Sequence, residues 1–206
     1  LYPYNNYQIL LDNFKYFKEF GGNYIYPEGT WENQNNPGFA KLRDYINSKG
    51  MFDVNSDYNE LVDKFFRYYF RDAAPIMRKY FNEVQVNLTI NESITGGRVH
   101  AYSLADNRVW PEALVTGWLN SFDDAQNLIL KYKETDAELY EMLSKHILIE
   151  SLFPRYVLCT RYDKSFSASQ LKEMRKSFLE DFEDLGNTTH QEHYVISDVT
   201  SSWNLD

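Results

Sequence analysis

DYNELVDKFFRYYFRDAAPIMRKYFNEV, residues 57–84, is the stretch that decides the fold class. Asp57 with Glu60 three places on makes a capping-box pattern, and Leu61, Val62, Phe65, Phe66 and Tyr69 repeat at the three-and-four spacing of one helical face. A second helix opens just beyond Asp72. Pro75 falls in its first turn, where the missing N–H costs nothing, and Ile76, Tyr80, Phe81 and Val84 continue the apolar face. Two successive amphipathic helices with aromatic stripes predict helix-on-helix packing.

Toward the N-terminus, Tyr7, Leu10, Leu11, Phe14 and Phe17 mark another helix, stopped by Gly21-Gly22. The run Asn23-Tyr24-Ile25-Tyr26-Pro27 then predicts a buried strand of about four residues, with Glu28 and Gly29 at its C-terminal end. Residues 32–37 are polar and read as a surface loop. The next helix turns Phe39, Leu42 and Ile46 inward and ends near Gly50. Toward the C-terminus, periodicity is lost between about Val86 and Trp110, which predicts a long connection. Ser121 is expected to cap a segment holding Ala125, Leu128, Ile129 and Tyr132. Thr135 and Glu138 make a capping box for a long helix with Leu139, Met142, Leu143, His146, Ile149, Glu150 and Phe153 on its face, kinked or broken at Pro154. A last helix opens at Ser167 with Gln170, buries Leu171, Met174, Phe178, Phe182 and Leu185, and closes at Gly186. The expected fold is mainly α: a helical assembly with a few short strands.

Composition sets the outer bounds. A chain of 206 residues can bury a core without staples, and its one cysteine excludes an intrachain disulfide and a cysteine-based zinc site. Cys159, among apolar neighbours, reads as a small core residue. The net charge of -9 repels polyanions, so nucleic acid is not an expected partner, and no apolar run is long enough for a membrane span. The 17% aromatic content, with 17 Tyr and 14 Phe, suits a core of large flat rings and also suits sugar-facing clefts. Leu1 is not preceded by a Met or a signal-like segment, so the chain reads as an excerpt of a longer protein.

The candidate chemistry centres on Glu28, at the end of the expected strand, with Tyr24, Tyr26 and Trp31 around it and Glu32 four residues on. Two carboxylates beside aromatic walls suit glycoside hydrolysis, one as acid and the other as base or nucleophile. The plainer alternative is that Glu28 hydrogen-bonds the following loop and Glu32 is solvated. His190, Glu192 and His193 form a compact group, but a metal would need a further ligand on a fixed scaffold, and a loop after a helix C-terminus explains them equally. His146 reads as a hydrogen-bonded core histidine. No serine elbow, Walker loop or dinucleotide fingerprint is present, and no cofactor or metal is expected. The sequons at Asn87, Asn91 and Asn187 are assigned no role.

The stretches Tyr24-Ile25-Tyr26-Pro27-Glu28-Gly29, residues 39–46, and residues 53–80 resemble the C-terminal part of a large bacterial domain of unknown function. That domain occurs in secreted, polysaccharide-handling proteins, and its barrel and helical tail look like those of α-glucuronidases and other (β/α)8 glycoside hydrolases. The likeness covers roughly residues 5 to 85. It implies that residues 1–50 are the C-terminal end of a barrel-like β/α region and 51–206 a helical domain. It further places Glu28 at the barrel mouth; with the reading of the residues above, Glu28 is the candidate catalytic carboxylate and Tyr24, Tyr26, Trp31 and Glu32 the candidate substrate-binding residues. The implied partners are a polysaccharide or oligosaccharide and an upstream barrel of the same protein, in a secreted, periplasmic or cell-surface bacterial setting. One or two strands cannot close a barrel, so the chain alone is expected to be inert. The alternative is a non-catalytic helical module that binds carbohydrate or protein, or braces a neighbouring domain.

Overall fold

The computed structural model describes residues 1–27, 33, 35–95, 104–191, 193–203 and 205. Among them helices dominate: α1 (Tyr7–Glu19), α2 (Ala40–Phe52), α3 (Tyr58–Tyr69), α4 (Ala74–Ile90), α5 (Glu92–Thr95), α6 (Glu112–Ile129), α7 (Tyr132–Thr135), α8 (Ala137–Arg161), α9 (Ala168–Asp184) and α10 (Ser197–Thr200). The described strands are β1 (Thr189–Gln191) and β2 (Tyr194–Val195), an antiparallel pair pairing Thr189 with Val195 and Gln191 with Tyr194. The mainly helical assembly expected from periodicity is what the chain forms.

Side-chain caps explain the starts of α3, α8 and α9. Asp57 Oδ1 accepts the Glu60 N–H at 2.8 Å, and Ser167 exchanges hydrogen bonds with Gln170 in a full capping box at the head of α9. At the head of α8 the expected box is displaced by one residue. Asp136, not Thr135, is the cap and accepts the Leu139 N–H at 3.1 Å, because a carboxylate there adds favourable charge to a helix N-terminus. Ser121 caps nothing: it lies inside α6, and its hydroxyl donates back to the Gly117 carbonyl at 3.2 Å. The expected connection from Val86 starts later than read, since α4 continues to Ile90.

Pro154 does not end α8, which runs on to Arg161. The proline removes the N–H that would bond the carbonyl of residue 150, yet Leu152, Phe153, Tyr156, Val157 and Leu158 around it are all buried and hold the turn from both sides. The helix serves two cores. Leu143, Ile147, Phe153, Val157 and Leu158 join the main cluster, while Ile149, Leu152, Tyr156 and Cys159 face α9 and the C-terminal segment, with Phe178, Phe182 and Trp203. A helix packed on two sides has no single apolar stripe, and this is why a one-face reading of it fell short.

The main core is aromatic. Phe39 sits at its centre, with ring centroids 5.0 Å from Phe81, 5.5 Å from Phe66 and 5.5 Å from Tyr80. Residues on both sides of position 50 share this cluster, from Tyr7, Leu11 and Phe14 of α1 to Val115 and Trp118 of α6. The crossing of α1 over α2 depends on Gly50: a Cβ there would stand 2.6 Å from both Leu11 and Phe14 side-chain carbons.

Candidate functional site

The sequence placed a buried strand at residues 23–27, and the structure corrects this. Residues 22–27 have no regular secondary structure, Ile25 is half-buried, and Tyr24 and Tyr26 are 88% and 77% exposed. Among the described residues this segment has no ladder partner, and β-propensity alone does not make a strand without one. Glu28, Trp31 and Glu32 lie outside the described residues. Upstream, Tyr16, Phe17 and Phe20 on and just beyond α1 are also exposed, although Phe17 was expected on the inward face. The Tyr16 and Phe20 rings lie 4.5 Å apart.

Asn33 and Asn35, in the stretch that the sequence presented as an ordinary polar loop, are fastened to the C-terminal part of the chain. Asn33 Oδ1 accepts the N–H groups of Thr188 and Thr189 at 3.0 and 3.3 Å, and its Nδ2 donates to the Thr189 carbonyl at 2.6 Å. Asn35 Nδ2 donates to the Leu185 carbonyl at 2.7 Å, and Asn187 Nδ2 donates to the Asn35 carbonyl at 3.0 Å. Asn33 and Asn187 are both buried, as side-chain amides with satisfied donors can be. The sequon at Asn187 therefore has a structural role, and so does that at Asn87, whose amide donates to the Val109 carbonyl.

The most perturbed carboxyl of the described residues faces the turn at Gly38 and Phe39, from 111 residues further along the chain. Glu150 of α8 is 3% exposed, and its Oε1 and Oε2 accept the Phe39 N–H at 3.2 and 3.0 Å. Gly38 and Phe39 both hold left-handed backbone, φ 73° and 56°, which turns their N–H groups toward the carboxyl; Gly38 N–H is a further donor to it. Burial pushes the Glu150 carboxyl up to about 8, against the pull of those N–H groups and of the Arg43 guanidinium. Tyr7 donates its hydroxyl to the Gly38 carbonyl, while the buried Tyr80 hydroxyl has no hydrogen-bond partner among the described residues. The signal for Glu150 was present in the sequence, as an acid at a core-facing helical position. Enclosed on all sides, it acts as a brace that ties α8 to the turn entering α2.

The histidines divide as their surroundings dictate. Nδ1 of His146 donates to the Tyr69 carbonyl at 2.8 Å, and its ring stacks on Tyr69 with centroids 3.6 Å apart; burial holds its imidazole below the usual range. It is a hydrogen-bonded core histidine, as read. His190 is half-buried near the Tyr156 ring, and burial lowers its imidazole too, while Glu192 lies outside the described residues. Among the described residues no group of three or more His, Cys, Asp or Glu side chains is placed to hold a metal. Cys159 is buried, and burial pushes its thiol up to about 11, as befits a core residue. No helix among the described residues is long and apolar enough to cross a membrane.

Residues 1–82 match a family described as a domain of unknown function (DUF4838). That stretch of the chain is similar to the family and covers α1 to α3 and the first half of α4. No curated protein and no solved structure matches the chain.

Proposed function

We propose that this chain is part of a glycoside-hydrolase-like protein that binds or acts on complex polysaccharide, with Tyr24 and Tyr26 as a sugar-stacking surface. The observation that carries the reading is their exposure: two tyrosines stand in solvent in a chain whose other rings mostly pack together in cores. Exposed rings offer flat apolar faces to the C–H faces of a pyranose, and each tyrosine adds a hydroxyl for hydrogen bonding. Glu28, Trp31 and Glu32 follow directly in sequence, and in this reading Glu28 supplies an acid/base carboxylate at the mouth of a barrel contributed by an upstream region of the same secreted bacterial protein.

The test is retention of the chain in gels cast with a panel of plant and host polysaccharides. At least one glycan is expected to retard the native chain, and Tyr24→Ala with Tyr26→Ala to abolish most of the retardation. In the full-length parent, Glu28→Gln is expected to cut product release by at least about a hundredfold. Retardation that survives both tyrosine changes, with release unaffected by Glu28→Gln, would sink the reading.

A second reading is favoured by a different observation. Tyr16, Phe17 and Phe20, on and just beyond α1, form a second group of exposed rings. A non-catalytic bracing module would use that surface against a neighbouring domain, and it predicts no glycan retention at all.

A further inference from the structure

Between α6 and α9, with α8 as its floor, lies an open groove of about 890 Å³. Phe122, Ile147, Leu148 and Met174 make its apolar base. It is lined along residues 147–159 of α8 and 169–181 of α9, so at 1.5 Å per residue it runs roughly 18 Å, or about three helical turns.

Its polar groups are mostly committed already. Arg155 Nη1 lies 2.6 Å from Asp181 Oδ2, and Arg155 Nη2 donates to the Ser177 hydroxyl at 3.1 Å. Gln126 Nε2 donates to the Ser144 carbonyl at 3.2 Å, and the Ser151 hydroxyl donates to the Leu148 carbonyl at 2.8 Å. A small polar ligand would therefore find few free groups to orient it. Two lining charges are left over, one on each wall: Asp123 of α6 and Glu173 of α9, neither in an ion pair among the described residues. Both carboxylates are exposed, in a chain of net charge -9.

We infer that this groove docks an amphipathic helix of a partner protein, its apolar anchors at i, i+3 or i+4, and i+7 on the floor and its Lys or Arg side chains reaching the two wall carboxylates. The length fits three turns of helix, the floor supplies apolar contact, and the unbalanced acids select a basic occupant and repel an acidic one.

The probe is a fluorescein-labelled helical peptide of ~15 residues built from Leu, Lys and Ala, with Leu on one face and Lys on both flanks, beside its counterpart with Glu in place of Lys. Each is titrated with the whole chain and followed by anisotropy, with circular dichroism to verify that every variant is folded. The Lys peptide is expected to bind. Asp123→Lys with Glu173→Lys should weaken it at least about tenfold and strengthen the Glu peptide, whereas Asp12→Lys with Glu19→Lys, an equal change of net charge on α1, should shift both by no more than about twofold. Equal weakening by the two pairs would mean that only the overall field attracts the peptide, and no binding of the Lys peptide would mean that no such site exists. Self-association of the chain that disappears with the Asp123 and Glu173 changes would assign the groove to a second copy. Each of these three results overturns the inference.

Discussion

The carboxylate of Glu150 accepts the backbone N–H of Phe39 at 3.0 Å across 111 residues of chain. The contact joins the middle of α8 to the left-handed turn that starts α2, inside an aromatic core where an unpaired charge would be costly. Its partners are backbone groups, so no side chain elsewhere in the sequence announces it.

Stability should depend on pH through this group. Between the ordinary carboxyl value of 4.5 and about 8, the unfolded chain releases the Glu150 proton while the folded chain keeps it. The contribution of this group is therefore fully present below the lower value, declines as pH rises through the window, and is lost above the upper one. Urea unfolding at about pH 5 and about pH 8.5 should show the native chain losing a few kcal/mol more than Glu150→Gln over that interval. Parallel losses in the two proteins would contradict this account.

Gly38→Ala should destabilise on two grounds. The position holds φ 73°, and a Cβ would stand 3.0 Å from the backbone Cα of Pro3. The left-handed backbone alone costs about 1–2 kcal/mol for alanine, and displacing Pro3 adds to it. Thermal unfolding followed by circular dichroism measures the sum, and an unchanged midpoint would show that the turn relaxes freely.

Replacing Asn33 tests the asparagine lock. Asn33→Ala strands the N–H groups of Thr188 and Thr189 and should cost about 1–3 kcal/mol, lowering the melting temperature by several degrees. Asn33→Asp keeps the acceptor and loses the Nδ2 donor to the Thr189 carbonyl and to Asn36 Oδ1, so its melting temperature should fall between those of the native chain and the alanine variant. If aspartate proves as damaging as alanine, the accepted bonds are not what matters.

The stretch that resembles the domain of unknown function, residues 1–82, should not fold cooperatively alone. Cut there, Phe39 loses Glu150, Asn33 and Asn35 lose the 185–189 segment, and the aromatic core loses Trp110, Trp118 and Phe153. Poor dispersion of its amide proton spectrum is the expected result, and a sharp, well-dispersed spectrum would refute it.

What could be read in the sequence follows the range of the interactions concerned. Helix faces such as Leu61, Val62, Phe65 and Phe66, and caps such as Asp57 and Ser167, depend on residues within about one turn and were legible. The strand expected at Tyr24 to Tyr26 needed a neighbour that local sequence cannot supply, and the hairpin of β1 and β2 sits in a run whose histidines drew attention to chemistry instead. Pro154 does not break α8 because burial on two sides outweighs a single lost hydrogen bond. The polar stretch around Asn33 reads as solvated until its partners, 155 and 156 residues away, are in view. The positions of Tyr24 and Tyr26 in the chain were clear, but their exposure was not, since an aromatic run signals burial as readily as display.

The asparagine lock also imposes an order on synthesis. A ribosome that has finished α2, α3 and α4 has still not made the partners of Asn33 and Asn35, which emerge only with Leu185 to Thr189. Closing so long a loop carries an entropic cost that the main core must already have offset. Translation halted between the end of α8 and residue 185 would thus leave Asn33, Asn35 and Asn36 loose on a chain whose central helices were already in place, and a protease would find the nascent protein most open at that point.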